Sequence, residues 1–103
     1  MDVSQVDDMI GADPVVMFSK SWCPYCHKAK ALFKIRKVPF KVYELDNMAN
    51  GSDIQATLKT KTNQSTVPNI FIGTKHVGGS DDLAKADKNG TLKTYLADAG
   101  ITV

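Results

Sequence analysis

The chain has 103 residues, a length that ordinarily forms one domain around a single hydrophobic core, so we expect one domain over residues 1–103. Its apolar fraction of 43% and charged fraction of 23% exclude disordered, collagen-like and membrane classes. The net charge is only +2 and the 13 basic residues are scattered, which argues against a nucleic-acid partner.

The composition of the first residues predicts no targeting signal. Residues 1–5 have neither a basic patch nor an apolar stretch, so we expect no secretory signal and a cytoplasmic protein. The longest apolar runs, such as residues 15–18, are too short to cross a bilayer, and we expect no membrane partner.

The first part of the chain alternates helical and strand patterns. Residues 4–11 place apolar side chains at helical spacing and end at a glycine, which predicts a short helix. The continuous apolar run of residues 15–18 predicts a strand buried on both faces. A second helix is predicted to begin at the Cys-Pro dipeptide and to extend to about residue 37.

Residues 40–45 alternate between apolar and polar side chains, which predicts a second strand. Ile54 and Leu58 mark a third helix, and we expect a polar loop over residues 59–65. Residues 68–72 and 75–77 flank a Gly-Thr dipeptide, an arrangement that predicts a β-hairpin. A final helical region follows, with a break near its Asn-Gly dipeptide.

The predicted order is helix, strand, helix, strand, helix, hairpin, helix. A strand–helix–strand unit with a short crossover implies two parallel strands joined by a right-handed connection, and the hairpin adds two antiparallel strands. We therefore predict an α/β fold with a four-stranded mixed sheet flanked by helices on both faces.

The chain has two cysteines, Cys23 and Cys26, three positions apart. A structural disulfide gives most stabilisation when it closes a long loop, and a bridge across two residues constrains almost nothing. The pair is therefore interpreted as a chemical site rather than a structural one.

Thiol–disulfide exchange requires one of these cysteines to be stabilised as its thiolate, because the thiolate is the nucleophile. Pro24 favours the first helical position, which makes Cys23 the N-cap residue, facing free N–H groups and the positive end of the helix dipole. Lys20 can add a nearby positive charge. Cys26 falls on the same helix face, within bonding reach and more enclosed. We predict Cys23 as the nucleophile and Cys26 as the resolving thiol.

The motif also fits two other kinds of site. Cys-Pro-Tyr-Cys-His also fits covalent haem attachment with His27 as axial ligand, which requires an exported protein. A zinc site normally takes four ligands, and the only thiol and imidazole ligands in the chain are the two cysteines, His27 and His76. Because His27 directly follows Cys26, it is poorly placed to bind the same metal ion as both thiols. We therefore predict no metal and interpret both histidines as surface residues.

Three motifs resemble one known family. Ser-Lys-Ser-Trp-Cys-Pro-Tyr-Cys at residues 19–26 resembles the active site of dithiol glutaredoxins, and residues 64–68 and 78–83 match that family at the corresponding places. The resemblance covers essentially the whole chain. It implies a thioredoxin-like fold and a glutathione-dependent oxidoreductase that reduces protein–glutathione mixed disulfides and protein disulfides, with glutathione as co-substrate.

The resemblance also implies binding roles. Pro68 would follow a cis peptide bond opposite the cysteines, and Val67 would offer its backbone N–H and C=O to the cysteinyl part of glutathione. Lys20 and Gln64 would hold the glycine carboxylate. Alternatively, Pro68 is simply the first residue of a strand, which requires no cis peptide bond.

The N–H groups of Asp81 and Asp82 would bind the γ-glutamyl carboxylate, and the Asp82 side chain would pair with the ammonium group. The same stretch also fits simple helix capping by Ser80. The implied binding residues are Lys20, Tyr25, Gln64, Thr66, Val67, Pro68, Gly79, Asp81 and Asp82.

Two further functions stay open at this point. Two chains could share a [2Fe–2S] cluster through Cys23 and glutathione, although Pro24 and Cys26 argue against it. Trp22 before the motif resembles thioredoxins, which suggests a reductase fed by a flavoprotein. The leading expectation is a monomeric enzyme whose partners are glutathione and glutathionylated or disulfide-containing proteins.

Overall fold

The computed structural model describes residues 3–102. Its helices and strands, in chain order, are α1 (Val3–Gly11), β1 (Val15–Ser19), α2 (Pro24–Ile35), β2 (Lys41–Glu44), α3 (Gly51–Thr62), β3 (Asn69–Ile72), β4 (Lys75–Gly78), α4 (Ser80–Asn89) and α5 (Thr91–Asp98). A short 3-10 turn, Leu45–Asn47, follows β2. No helix in the described part of the chain is long and apolar enough to span a bilayer.

The four strands form one sheet in the order β2-β1-β3-β4. β1 pairs with β2 in parallel, whereas β3 is antiparallel to both β1 and β4. The predicted α/β architecture with a four-stranded mixed sheet is confirmed. The carboxyl ends of the parallel strands β1 and β2 therefore lie side by side. Cys23 follows a few residues after the end of β1.

Successive side chains of β1 point to opposite faces of the sheet, and each face carries its own core. Val15 and Met17 pack in one cluster with residues of α2, α4 and α5, while Val16 and Phe18 pack in a second cluster with residues of α1 and α3. All five residues of β1 are buried. This explains why the strand is a continuous apolar run, and it confirms the prediction of helices on both faces.

The expected polar loop over residues 59–65 is wrong in its first half, because α3 continues to Thr62. The apolar pattern stops at Leu58, but the helix continues for one more turn, in which the Thr62 hydroxyl donates to the Leu58 carbonyl over 2.8 Å. Asn63 then adopts a left-handed conformation, with φ of 65°, and ends the helix.

Other boundaries differ from the expected ones by one or two residues. α2 ends at Ile35 rather than near Lys37, because Lys37 is left-handed, with φ of 59°. β2 is shorter than expected because it begins at Lys41 and because Leu45, which is buried, belongs to the 3-10 turn that follows the strand. The break predicted in the last helical region is confirmed at Gly90, where φ is 85°.

Candidate active site

Cys23 is the N-cap residue of α2 and Pro24 is its first helical residue, as the sequence predicted. The Cys26 N–H donates a hydrogen bond to the Cys23 sulfur over 3.2 Å. The sulfur therefore occupies the place where a helix N-terminus stabilises negative charge, through an N–H donor and the helix dipole.

The two cysteines have different surroundings. Cys26 is fully buried, and burial, followed by a hydrogen bond with Cys23, raises the pKa of its thiol. Cys23 is 5% exposed, and its sulfur lies 3.7 Å from the carbonyl oxygen of Val67. Cys26 is thus kept as a neutral thiol behind Cys23, while Cys23 stands at the edge of a groove.

That groove has a volume of about 420 Å³. It is lined by Tyr25, Gln64, Thr66, Val67, Pro68, Gly79, Ser80, Asp81 and Asp82. The structure thus brings together all of the predicted binding residues except Lys20, and it adds Ser80. The Val67–Pro68 peptide bond is cis, as the resemblance implied.

One side of the groove is the N-terminus of α4. Gly79 is the N-cap and Ser80 is the first helical residue, so the alternative in which Ser80 caps the helix is wrong. Instead, the Asp82 carboxylate accepts a hydrogen bond from the Gly79 N–H over 3.0 Å. The first helical N–H groups have no partner within the helix, and a helix N-terminus of this kind favours an anion.

Gly78 allows the close approach of β4 to this helix. Its φ is +121°, and a Cβ atom built there would lie 2.3 Å from an oxygen of Asp82. A side chain at this position would therefore displace the carboxylate that bonds Gly79. The geometry accounts for the first glycine of the Gly-Gly pair by sterics alone.

The opposite side of the groove is the 64–68 segment. The Gln64 amide group donates one hydrogen bond to the Thr66 carbonyl over 3.1 Å and another to the Pro68 carbonyl over 2.9 Å. An amide NH₂ group has two hydrogens, so both are used within the segment. Gln64 therefore braces the segment in addition to lining the groove.

Lys20 lies outside the groove. It lines a separate cavity of about 250 Å³ together with Trp22 and Asp46, and its ammonium nitrogen is 5.7 Å from the centre of the Trp22 ring. The Trp22 side chain is 67% exposed. The sequence pattern gave no indication that Lys20 would face Trp22.

Neither histidine is placed for a metal. His27 lies on the surface with its ring nitrogen 2.8 Å from the Ser21 carbonyl, and the His76 ring nitrogen is 2.8 Å from the Asn69 side-chain oxygen. Among residues 3–102, no three His, Cys, Asp or Glu side chains are grouped closely enough to hold a metal ion.

Comparison with known protein sequences finds similarity to glutaredoxins. The family model described as glutaredoxin matches residues 15–77. The chain is 53% identical to glutaredoxin-1 of Rhizophagus irregularis, covering 90% of this chain and 92% of that protein. It is 48% identical to glutaredoxin-2 of Schizosaccharomyces pombe, covering 90% of this chain and 84% of that protein.

The fold also matches solved structures. The crystal structure of a buckwheat glutaredoxin–glutathione complex superposes with a TM-score of 0.94 at 37% sequence identity. The match covers 98% of this chain and 92% of the buckwheat chain.

Proposed function

Because this chain belongs to the glutaredoxin family, whose members are glutathione-dependent thiol oxidoreductases, we propose that it reduces protein–glutathione mixed disulfides and protein disulfides through Cys23 and Cys26. The comparisons confirm the family, the thioredoxin-like fold and the class of enzyme that the resemblance implied. One observation carries the assignment of roles: Cys23 caps α2 beside the groove, while Cys26 is buried behind it.

Glutathione is the co-substrate that fits the groove. A cavity of about 420 Å³ is within the range of small-molecule sites. We assign the γ-glutamyl carboxylate to the N-terminus of α4 and the ammonium group to the exposed Asp82 carboxylate. The cysteinyl part would pair with the Val67 backbone as an added strand does, which brings its sulfur toward Cys23.

The glycine carboxylate is assigned to the end of the groove near Gln64, as the resemblance implied. Lys20 would reach that carboxylate only by leaving the Trp22 ring, which lies 5.7 Å from its ammonium nitrogen. A lysine side chain has several rotatable bonds and makes such a movement at low cost, so the assignment of Lys20 is kept as part of the proposal.

With a protein–glutathione mixed disulfide, the Cys23 thiolate attacks the glutathione sulfur. The protein sulfur leaves as a thiolate and takes up a proton, and a disulfide forms between Cys23 and glutathione. A second glutathione thiolate then attacks the bound glutathione sulfur, releases oxidised glutathione and regenerates the Cys23 thiolate. Stabilisation of the Cys23 anion aids both its attack and its departure.

With a protein disulfide, Cys23 attacks one sulfur and forms a mixed disulfide with the protein. Cys26 then loses its proton and attacks the Cys23 sulfur, which releases the second protein thiol and closes the Cys23–Cys26 bond. Two glutathione molecules reduce this bond and leave as oxidised glutathione. The buried, neutral Cys26 thiol suits this role because it reacts only after Cys23 has been engaged.

Single-cysteine variants test this division of roles. In a glutathione-coupled assay, Cys26→Ser should retain reduction of a glutathionylated peptide and lose reduction of a protein disulfide. Cys23→Ser should lose both activities. The two variants are matched controls for each other, because each removes one sulfur atom from the same motif. Turnover of the glutathionylated peptide by Cys23→Ser would overturn the assignment.

We also propose that the protein acts as a monomeric single domain in the cytoplasm on glutathionylated and disulfide-containing proteins. Among the side chains of residues 5–102, few large apolar ones are exposed, namely Trp22, Tyr25 and Ile35, which leaves little apolar surface for a stable dimer. Sedimentation equilibrium tests the monomer. Cell fractionation tests the compartment, and trapping of partners by Cys26→Ser tests the protein substrates.

A further inference from the structure

Ser21, two residues before Cys23, is held by two side chains from other parts of the fold. Its N–H donates to one oxygen of Asp46 over 3.0 Å, and its hydroxyl donates to the other oxygen of the same carboxylate. Its carbonyl lies 2.8 Å from the His27 ring nitrogen, an N–H donor in this contact. Although Ser21 is exposed, its N–H, hydroxyl and carbonyl groups are all hydrogen-bonded within the protein.

Ser21 lies inside the turn that delivers the nucleophile. The Cys23 N–H donates to the Lys20 carbonyl over 3.1 Å and closes a turn with Ser21 and Trp22 at its centre. The turn ends on Cys23, whose sulfur then receives the Cys26 N–H of the following helix. The position of the sulfur is thus set by the helix on one side and by the 20–23 turn on the other.

The sheet explains why Asp46 meets Ser21. In the parallel β1–β2 pair, Ser19 is opposite Glu44, so Ser21 and Asp46 each lie two residues beyond the last matched pair. The 3-10 turn that carries Asp46 is fixed from below by buried Leu45 and by Gly51, where a Cβ atom would lie 1.8 Å from the Leu45 carbonyl oxygen. Asp46 is therefore carried by a turn that is packed closely against the start of α3.

We propose that Asp46 is a positioning residue for thiol–disulfide exchange, which holds the 20–23 turn through Ser21 and thereby holds the Cys23 sulfur at the groove. His27 provides the second hold on the same turn. The inference rests on the proposed role of Cys23 and deepens it. Reactions between two positioned atoms are sensitive to placement, and a misplacement of about 1 Å can cost on the order of 100-fold in rate.

The test is steady-state kinetics with a glutathionylated peptide. Asp46→Ala should lower kcat by roughly 10-fold, within the range that misplacement produces. It should change KM for the peptide by less than about 2-fold, because groove residues are untouched and loss of transition-state positioning appears in kcat. Asp46→Asn should recover most of kcat, since its side-chain oxygen still accepts from the Ser21 N–H and its amide can donate to the hydroxyl.

Two further variants keep the test specific. Ser21→Ala should give an intermediate loss of kcat, and the Asp46→Ala/Ser21→Ala double variant should be no slower than Asp46→Ala, because the two changes remove the same contact. Asp87→Ala is the matched control. It removes a carboxylate that accepts two hydrogen bonds from Arg36, each 3.0 Å long, outside the groove and the 20–23 turn, and it should leave kcat unchanged.

Wild-type kcat in Asp46→Ala would overturn the inference, as would an equal loss in Asp87→Ala. An Asp46→Asn variant as slow as Asp46→Ala would assign the effect to charge and overturn positioning. Failure of the proposed function has a separate signature in the same assay, namely turnover by Cys23→Ser.

Discussion

Two irregular segments meet at the Cys23 sulfur, and they are held in different ways. The 20–23 turn is anchored by Asp46, which lies 25 positions from Ser21 in the sequence. The 64–68 segment is anchored by side chains nearer in the sequence, because the Gln64 amide bonds the Thr66 and Pro68 carbonyls and the Gln55 amide of α3 donates to the Ser65 carbonyl over 2.6 Å. One side of the site depends on a distant part of the fold, and the other depends on local contacts.

The comparison separates two requirements of the reaction. The 20–23 turn determines where the nucleophile is, whereas the 64–68 segment and the N-terminus of α4 form most of the surface that would hold glutathione, to which the turn adds only the Lys20 ammonium group. Damage to the first should appear mainly in kcat, and damage to the second mainly in KM. The following substitutions are chosen to test this separation.

Gly51→Ala should have the largest effect, because it displaces the 3-10 turn that carries Asp46 and so disturbs the contact between Asp46 and Ser21. A Cβ atom would lie 1.8 Å from the backbone oxygen of Leu45, so the backbone must move. We expect a loss of about 3 kcal/mol in the free energy of unfolding, at the upper end of overpacking effects, and a lower kcat. Urea denaturation measures the stability change. Gly11→Ala is the control, since nothing lies within 4 Å of its Cβ position, and equal stability of the two variants would contradict the argument.

Gly78→Ala should act on the other side of the site. The residue has φ of +121°, and the new Cβ atom would lie 2.3 Å from the Asp82 oxygen that accepts from Gly79. Backbone strain of this kind costs about 2 kcal/mol. Because the N-terminus of α4 is disturbed while the 20–23 turn is not, KM for glutathione should rise more than kcat falls. Gly90→Ala has a positive φ but open space, so it should lose stability without a change in KM.

Gln64→Ala should weaken the groove with a smaller effect on stability. The variant loses two amide hydrogen bonds that brace the 64–68 segment, and each is worth about 1 kcal/mol. We expect KM for the glutathionylated peptide to rise by roughly 5-fold or more, which corresponds to about 1 kcal/mol, with kcat near the wild-type value. Gln64→Glu offers no donor and should behave in the same way. A fall in kcat at constant KM would contradict the division of roles.

Asp46 also predicts how stability depends on pH. The hydrogen bonds from the Ser21 hydroxyl and then from its N–H lower the pKa of the Asp46 carboxyl. A lowered pKa stabilises the folded state above the ordinary aspartate value of about 4, and this contribution is lost as pH falls through the folded pKa. The stability difference between wild type and Asp46→Asn should therefore shrink between pH 7 and pH 3. Urea denaturation at several pH values measures it, and a constant difference would contradict the prediction.

The order of helices and strands could be predicted because the two cores impose simple patterns. Val15 and Met17 face one core and Val16 and Phe18 the other, which leaves a continuous apolar run in the sequence. The last turn of α3 could not be predicted in this way. It lies beyond the last buried apolar residue of the helix, Leu58, and it ends at Asn63, whose left-handed conformation no apolar pattern indicates.

The residues of the site also differ in whether they could be predicted from the sequence. Cys23, Pro24 and Cys26 act within one helical turn, so their spacing alone predicts the cap and the buried second thiol. The contact between Ser21 and Asp46 depends on the register of two strands, which no local pattern specifies. A signal exists once the parallel pair is assumed, since both residues are polar and each follows a strand end at the same distance.

Trp22 provides the mildest test of the comparison. Its side chain is 67% exposed and lies in the 20–23 turn, where the Lys20 ammonium group is 5.7 Å from the centre of its ring. Exposed substitutions usually change stability by less than about 0.5 kcal/mol, so Trp22→Ala should unfold at nearly the wild-type urea concentration. The turn keeps its bonds to Asp46 and His27 in this variant, so kcat and KM for a small glutathionylated peptide should stay within about 2-fold of wild type, equivalent to less than 1 kcal/mol. A loss as large as that expected for Asp46→Ala would mean that the ring, rather than the Ser21 contacts, holds the turn in place.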